Sequence, residues 1–215
     1  LYDVAVEERP KYALIDTIKE NINKGKNILV FVAGKKEIQT VMENLKEEDA
    51  TVLPLHAELD WDDQKKCFEY YSNPKVVVAT NVAQTSITIP DIDVVVDTGE
   101  ARMSISENGI QGLFLRDISR SDIMQRKGRA GRTKSGKYIL CSDTPISSRR
   151  EYPIPEIQRS ILDRVVLQIA EIGLDAEKLE FFHQPDINAI HKAKKELNSI
   201  GALSGNQVTE LGHKI

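Results

Sequence analysis

Ile28-Leu29-Val30-Phe31-Val32-Ala33 is a run of six apolar residues, and such a run predicts a strand that is buried on both faces of a sheet. Val76–Ala79, Ile92–Asp97 and Lys137–Cys141 repeat this pattern farther along the chain, and Thr51–Leu55 predicts a shorter strand. Between the strands, apolar residues recur every three or four positions, which predicts helices. The alternation favours an α/β fold, a parallel sheet with helices on both faces.

One segment interrupts the alternation. Arg102–Ser106 and Ile110–Leu115 flank Asn108-Gly109, and Asn-Gly between two strand-like runs is a strong hairpin signal. The pattern predicts an inserted β-hairpin over about residues 101–116. A decorated surface loop is the alternative.

Beyond Pro153 the pattern changes to helices. Pro155 is suited to the first turn of a helix predicted over Glu156–Gly173, and a second helix is predicted over Asn188–Gly201. Leu203–Leu211 then predicts a small hairpin. Helices followed by a hairpin favour a small, mostly helical winged-helix domain.

The chain therefore divides into a predicted first domain over residues 1–147 and a winged-helix domain over 148–215, which can extend beyond Ile215. Its 215 residues are 40% apolar and 29% charged, a globular composition that excludes a disordered chain. Without a signal peptide, a membrane-length apolar run or a cysteine framework, we expect an intracellular protein, cytoplasmic or nuclear, that is neither secreted nor in a membrane. The missing initiator Met predicts a fragment.

The charge is unevenly distributed. Ten Lys and Arg against three Asp give residues 116–150 a local charge of +7, whereas the whole chain has −4 and the remainder therefore −11. A solvated surface is the ordinary explanation of such a run. Local basicity in an acidic chain also indicates an anionic partner such as a nucleic acid.

The basic run contains Gln125-Arg126-Lys127-Gly128-Arg129-Ala130-Gly131-Arg132. On a helix, Gln125, Arg129 and Arg132 would share one face. Two glycines inside a helix cost roughly 1 kcal/mol each, so we expect a close approach to a neighbouring backbone that requires them. Paired guanidinium groups match phosphate oxygens. A surface helix rich in Arg is the alternative.

Polar residues follow several predicted strands. Thr80-Asn81 comes directly after Val76–Ala79, and Gly34-Lys35 follows the first strand. Ligands of parallel α/β sheets bind beyond the carboxyl ends of the strands, so these residues are candidates for phosphate contacts. The four histidines are scattered without cysteines or carboxylates at metal spacing, and no metal site is expected.

These segments together resemble the second RecA-like domain of superfamily 2 helicases, most closely the DEAH/RHA family of ATP-dependent RNA helicases. Phe31–Ile38 resembles helicase motif IV, Ala79–Ile89 resembles motif V, and Gln125–Thr133 resembles motif VI. The hairpin lies between motifs V and VI, as in that family. Pro155–Arg159 resembles part of the family's winged helix.

The resemblance implies roles for individual residues. Arg129 and Arg132 match the arginine fingers that reach the terminal phosphate of ATP, and Gln125 matches the residue that orients the attacking water or contacts that phosphate. The residues implied in nucleotide binding, with Phe68 as the adenine-stacking aromatic, are Phe68, Ser86, Thr88 and Asp91. The residues implied in contacts to the RNA backbone are Gly34, Lys35, Thr80 and Asn81.

Two departures from the family pattern bear on these roles. Gln84 stands where the family usually has Glu. Pro90 occupies the position of a family Asp that contacts the ribose, and the neighbouring Asp91 is the candidate replacement.

The resemblance implies the C-terminal half of a helicase motor that uses ATP with Mg²⁺. No Walker A sequence and no Asp-Glu-Ala-His box occurs in the chain, so the metal and most of the nucleotide would be held by a first RecA-like domain of the same protein, and this fragment should be inactive alone. The implied partners are single-stranded RNA or an RNA duplex, that first domain and an activator protein. The alternatives are a catalytically silent nucleic-acid-binding adaptor, a winged-helix regulator or a viral superfamily 2 helicase.

Overall fold

The computed structural model describes residues 2–85, 88–107 and 110–215. It forms two compact units: Leu1–Arg102 with Leu115–Pro153, and Met103–Phe114 with Ile154–Ile215. A domain boundary at 147/148 stays a prediction. The strands and helices are β1 Val4–Arg9, α1 Leu14–Asn23, β2 Ile28–Phe31, α2 Lys35–Asn44, β3 Thr51–Leu55, α3 Trp61–Lys66, β4 Lys75–Ala79, α4 Val82–Thr85, β5 Val94–Asp97, β6 Glu100–Glu107, β7 Ile110–Asp117, α5 Arg120–Lys127, β8 Gly136–Cys141, α6 Asp163–Glu171, α7 Ile187–Ser199, β9 Leu203–Ser204 and β10 Gln207–Val208.

The first unit contains a six-stranded sheet in the order β1-β8-β5-β2-β4-β3, and all of its paired strands are parallel. The apolar strand β2 lies at the centre, with Val30 opposite both Val78 of β4 and Val96 of β5. A strand paired on both sides and covered on both faces excludes water, which explains its uninterrupted apolar sequence. The predicted α/β fold with a parallel sheet is confirmed.

The two faces of the sheet carry different residues because side chains alternate along each strand. One face packs against α1 and α2 and is apolar; its buried members are Ile18, Ile22, Ile28, Val30, Val32, Ile38, Val41, Leu45, Val76, Val78, Val94, Val96, Ile139 and Cys141. The opposite face also has buried apolar residues, such as Leu29, Phe31 and Val77, but it differs in having Asp97 and Tyr138 buried beside α5. We call these the apolar face and the polar face.

Strand β1 was not among the predicted strands. It pairs with β8 at the edge of the sheet, with Val4 opposite Gly136 and Arg9 opposite Cys141. Its outer edge has no strand partner among the described residues, and three of its six residues are exposed, so its sequence has only a short apolar alternation. An edge strand needs fewer apolar residues than a central one, so β1 has no continuous apolar run that would predict a strand.

The inserted hairpin is present as the antiparallel strands β6 and β7. Its predicted turn, Asn108-Gly109, lies outside the described residues. The outer half of the hairpin belongs to the second unit: the Ser106 N–H donates to the Arg159 carbonyl at 2.6 Å, and the Arg159 guanidinium donates to the Ser104 carbonyl at 2.6 Å.

This pairing also explains an error in the helix prediction. A continuous helix over Glu156–Gly173 was expected, but the structure has a single 3-10 turn at Glu156–Gln158 and begins α6 at Asp163. At Arg159 the chain is held to the hairpin, where its carbonyl accepts the Ser106 N–H, instead of continuing into a regular helix.

The rest of the second unit follows the prediction more closely. Asp186 is the N-cap of α7, where its carboxylate accepts the Asn188 N–H, and the helix ends before Gly201 at φ +75°. Gly205 at φ +63° turns the chain between β9 and β10. The core is apolar, consisting of Leu162, Val166, Leu167, Ile169, Ala176, Ile190, Ala193, Leu197, Ala202 and Leu203. Across the described residues, no helix is both long enough and apolar enough to cross a membrane.

Candidate functional site

Helix α5 places the first half of motif VI. Ser119 precedes the helix and forms a capping box with Asp122: the Ser119 hydroxyl accepts the Asp122 N–H at 3.2 Å, and the Asp122 carboxylate accepts the Ser119 N–H at 3.1 Å. The helix ends at Lys127, with Gly128 at its C-cap. Gln125 and Arg126 are therefore helical, whereas Arg129 and Arg132 lie in the turns that follow.

The prediction that Gln125, Arg129 and Arg132 share one helix face is therefore wrong, because the helix stops between them. The expected close approach is confirmed for Gly131. A Cβ there would lie 2.5 Å from Cγ2 of Val4 and 2.8 Å from the carbonyl oxygen of Tyr2, so only glycine fits beside β1. The Tyr2 N–H donates to the Gly131 carbonyl at 3.0 Å. Strand β1 thus fixes the position of the second half of motif VI.

Arg126 is the buried anchor of this segment. Its guanidinium donates to Asp97 Oδ1 at 2.7 Å, both side chains are fully buried, and it lies 4.7 Å from the centre of the Phe31 ring. The Tyr138 hydroxyl donates to Asp97 Oδ2 at 2.7 Å. Burial, and secondarily the Asp97 charge, raises the pKa of Tyr138. The phenol therefore stays a proton donor to Asp97 across the physiological range of pH.

Gln84 of α4 connects motif V to motif VI. Its Oε1 accepts from Arg126 Nε at 3.0 Å, and its Nε2 donates to Asp122 Oδ1 at 2.7 Å and to Gln125 Oε1 at 3.3 Å. Its backbone carbonyl accepts from the Arg129 guanidinium. This one buried residue thus contacts four residues of α5 and the turn beyond it.

The two predicted arginine fingers differ in environment. Arg129 is buried, and that burial, followed by the nearby charge of Arg132, lowers its pKa. Arg132 is exposed and donates to Thr88 Oγ1 at 2.8 Å. The structure thus brings Thr88 of motif V against Arg132 of motif VI. Ser86, the other motif V residue implied in nucleotide binding, lies outside the described residues.

Both arginines lie towards the amino ends of the sheet strands. Lys134, two residues beyond Arg132, pairs with Asp93 just before β5 at 2.5 Å, and Gly136 opens β8. Helices α4 and α5 each follow a strand or hairpin that ends at the carboxyl edge of the sheet, and they return the chain to the amino side. Arg132 therefore lies on the amino side of the sheet, whereas Thr80 and Asn81 lie at its carboxyl edge, and Arg129 contacts the Gln84 carbonyl between them.

Asp91 and the Phe68 segment lie on this same amino side and are joined by Lys75. Lys75 is buried, and its ammonium donates to the Cys67 and Glu69 carbonyls at 3.1 and 2.8 Å and to Asp91 Oδ1 at 2.9 Å. The half-buried Phe68 lies between those two carbonyls in sequence. Lys75 and Asn27 already bind the two oxygens of the Asp91 carboxylate, and the Asp91 backbone lies at φ +64°.

The four residues implied in RNA contacts lie at the opposite, carboxyl edge. The Thr80 N–H donates to the carbonyl of Leu55 at the end of β3 (3.1 Å), and Asn81 is exposed at the start of α4. Gly34 follows β2, and Lys35 pairs with Glu58. A Cβ at Gly34 would lie 2.9 Å from Arg102 Nε, so glycine at this position leaves room for the Arg102 side chain at the carboxyl edge of the sheet.

Comparisons with known proteins identify the family of this chain. Residues 11–134, more than half of the chain, match the family model described as "Helicase conserved C-terminal domain". This chain belongs to that family. It is 35% identical over 94% of its length to ATP-dependent RNA helicase HrpA of Escherichia coli, and 36% identical over 83% of its length to pre-mRNA-splicing factor ATP-dependent RNA helicase DEAH10 of Arabidopsis thaliana. It spans only 17% and 27% of these relatives.

A crystal structure of the E. coli DEAH/RHA helicase HrpB superposes on 99% of this helicase C-terminal domain chain, with a TM-score of 0.90 and 29% identity, and the chain covers 29% of that structure. The resemblance to DEAH/RHA helicases and the RecA-like fold are thus confirmed. The individual roles of the site residues stay predictions.

The sequence patterns do not reveal the residues that support the candidate site. In the sequence, Arg126 is one of several neighbouring basic residues, Asp97 is the last residue of an apolar strand, and Lys75 and Tyr138 adjoin apolar runs. The available signal was a charged residue inside or at the end of an apolar strand, as in Lys75-Val76-Val77-Val78-Ala79 and Val94-Val95-Val96-Asp97. Buried charges require partners, so each such residue predicts a partner on a neighbouring element.

Proposed function

We propose that this chain supplies the C-terminal half of an ATP-dependent RNA helicase motor. Arg129 and Arg132 would act as arginine fingers towards ATP held by a first RecA-like domain, and Gln125 would orient the attacking water. A guanidinium presents five donors in a plane, which suits the equatorial oxygens of a phosphoryl group in transfer. Closure of the two domains would bring the fingers to ATP, and hydrolysis would release them.

The amino-side residues fit a nucleotide better than a metal ion. Arg129, Arg132, Gln125 and Thr88 offer guanidinium, amide and hydroxyl groups, which suit phosphate oxygens, whereas Mg²⁺ requires oxygen ligands, chiefly carboxylates and water. Among the described residues, no three His, Cys, Asp or Glu side chains form a metal-binding group. We therefore assign Mg²⁺ to the first RecA-like domain, where it would neutralise negative charge on ATP. Phe68 would extend the site towards the base.

The carboxyl edge would form part of a single-stranded RNA track. Thr80, Asn81 and the backbone at Gly34 and Lys35 offer hydroxyl, amide and N–H donors, the groups that contact nucleic-acid backbones without reading the sequence. The pairing of Lys35 with Glu58 reduces its positive charge. Hydrogen bonds would therefore contribute more than net charge to this part of the track.

One observation carries the proposal: Gln84, which lies three residues after Asn81, hydrogen-bonds to Asp122, Arg126 and Arg129 and so connects motif V to motif VI. A motor needs this arrangement, since a change at the phosphates must reach the nucleic acid. Residues 148–215 would be a winged-helix domain. An intracellular location and an activator protein are further parts of the proposal.

The test uses the full-length protein that carries this chain and the first RecA-like domain. Arg132→Ala should lower the kcat of RNA-stimulated ATP hydrolysis by about 10³-fold or more, the size of effect seen for arginine fingers, while RNA affinity is retained.

Asn81→Ala should have the opposite effect: it should weaken RNA binding and retain ATP hydrolysis. The 215-residue chain alone should turn over no ATP in a single-turnover assay.

Lys134→Ala is the matched control, because it removes a nearby exposed cation that pairs with Asp93. It should leave ATP hydrolysis unchanged. Equal losses in the Arg132→Ala and Lys134→Ala variants would show a general charge effect and overturn the finger assignment. Retained ATPase activity with Arg132→Ala would favour the adaptor, in which the motif VI arginines are dispensable.

A further inference from the structure

Gln84 occupies a position where only an amide satisfies all of its neighbours. The Arg126 guanidinium requires an acceptor, and Gln84 Oε1 supplies it; the Asp122 carboxylate requires a donor, and Gln84 Nε2 supplies it at 2.7 Å. The Gln84 residue is 9% exposed, so water cannot readily replace either contact. One atom of the side chain accepts and the other donates.

A carboxylate at position 84, the residue type that the DEAH/RHA pattern usually has, would not fit this environment. Its second oxygen would lie about 2.7 Å from Asp122 Oδ1. The other Asp122 oxygen already accepts from the Ser119 N–H and hydroxyl at 3.1 and 2.6 Å, so the carboxylate cannot turn away without losing the helix cap. Two ionised carboxylates in contact repel each other unless they share a proton.

We propose that Gln84 and Asp122 form a matched amide–carboxylate pair that positions Gln125 and Arg129 for ATP hydrolysis; this inference rests on the proposed function. The pair acts through other residues. The Gln84 amide orients the Gln125 side chain directly at 3.3 Å, and the Gln84 carbonyl holds Arg129. Gln84 and Asp122 are therefore positioning residues.

The position of the pair suggests why it matters to a motor. Gln84 lies three residues after Asn81, and its N–H donates to the Asn81 carbonyl at 2.9 Å. A displacement of the RNA-side end of α4 would therefore move the amide that contacts Asp122, Gln125 and Arg126. The charged groups that face Gln84 are Asp122 and Arg126 from α5 and Arg129 from the following turn, with Asp97 of β5 behind Arg126.

The experiment is a double-mutant cycle of Gln84→Glu, Asp122→Asn and the combination of both. In the double variant the amide and the carboxylate exchange places: the amide at position 122 can donate to the carboxylate at position 84 and still accept the Ser119 N–H. The carboxylate at position 84 can still accept from Arg126. The readouts are kcat, the KM for ATP and RNA affinity of the full-length protein at pH 6 and pH 8, and the Tm of the 215-residue chain under the same conditions.

We expect Gln84→Glu to lower kcat at pH 8 on the order of tenfold, the size of one unfavourable charge contact, with little change in RNA affinity. At pH 6 a shared proton should restore part of the loss, because it supplies the missing donor. The double variant should recover most of the activity at both pH values. The Tm should follow the same order, lowest for Gln84→Glu at pH 8.

Gln39→Glu is the matched control. Gln39 of α2 also donates from its amide to a carboxylate, Glu43 Oε1 at 3.0 Å, but both side chains are exposed. Like charges at such a surface site are screened by solvent, so kcat and Tm should stay within error of the wild type.

Wild-type kcat in Gln84→Glu at pH 8, or a double variant no better than the single one, would overturn the pair. Loss of Tm with unchanged kcat would show a purely structural contact and overturn the positioning role. If the wild-type protein hydrolyses no ATP, the proposed function fails, and the Tm cycle still decides whether the pair is matched.

Discussion

The two faces of the six-stranded sheet are stabilised in different ways. The apolar face packs hydrophobic side chains from four strands against α1 and α2, and Thr17 of α1, in contact with Cys141, is a buried polar exception. The polar face has Asp97, Tyr138 and Arg126 fully buried, with Gln84 and Arg129 beside them. Consecutive residues of one strand, such as Tyr138 and Ile139, therefore face a hydrogen-bonded network on one side and a hydrocarbon layer on the other.

The difference shows what each face contributes. Apolar contacts depend on area and shape and allow small shifts, whereas hydrogen bonds to a buried carboxylate specify distance and direction. Buried ion pairs add little net stability, since desolvation offsets much of the Coulomb attraction. We infer that the buried apolar residues of both faces supply stability and that the hydrogen-bonded network of the polar face fixes the orientation of the motif VI residues.

The largest effect should come from Asp97→Ala. It removes the partner of a fully buried guanidinium, and an uncompensated buried charge costs about 3–5 kcal/mol. Denaturant unfolding of the 215-residue chain measures the loss. The combination of Asp97→Ala with Arg126→Met should be less destabilising than Asp97→Ala alone, because it also removes the unpaired guanidinium charge of Arg126. Additive losses would contradict a direct pair.

A smaller effect should come from Tyr138→Phe, which deletes only the hydroxyl that donates to Asp97. A hydrogen bond to a charged group contributes about 1.5–3 kcal/mol. Because folding raises the pKa of Tyr138, its contribution is complete below the unfolded pKa of about 10 and is lost as the pH rises above it. The stability difference between wild type and variant should therefore shrink above pH 10. A constant difference would show that the hydroxyl does not titrate with folding.

The smallest effect should come from Ile139→Val on the apolar face. Removal of one buried methylene costs about 0.5–1.5 kcal/mol. This variant should keep the ATP hydrolysis that we propose for the full-length protein at a temperature where it is folded, whereas Tyr138→Phe should reduce it. Equal reductions of activity per unit of lost stability would remove the distinction between the two faces.

Much of the fold could be predicted because its signals are local. Thr51–Leu55 matched the observed strand at both ends, and the apolar runs located β2, β4, β5 and β8 within a few residues. Strand β1 and the start of α6 could not be placed in this way. Strand β1 depends on pairing with β8, which lies far away in sequence, and the delayed start of α6 depends on a backbone bond between Arg159 and the hairpin.

The sequence by itself determined the parallel α/β class, the helicase resemblance and the basic motif VI, because periodicity, glycine spacing and charge are properties of neighbouring residues. Only the tertiary structure decided that Arg126 is buried against Asp97 while Arg132 stays exposed, although the two arginines look alike in the sequence. The environment of a guanidinium depends on which elements pack around it. Those elements are β1, β5 and α4, and residues far apart in the chain place them there.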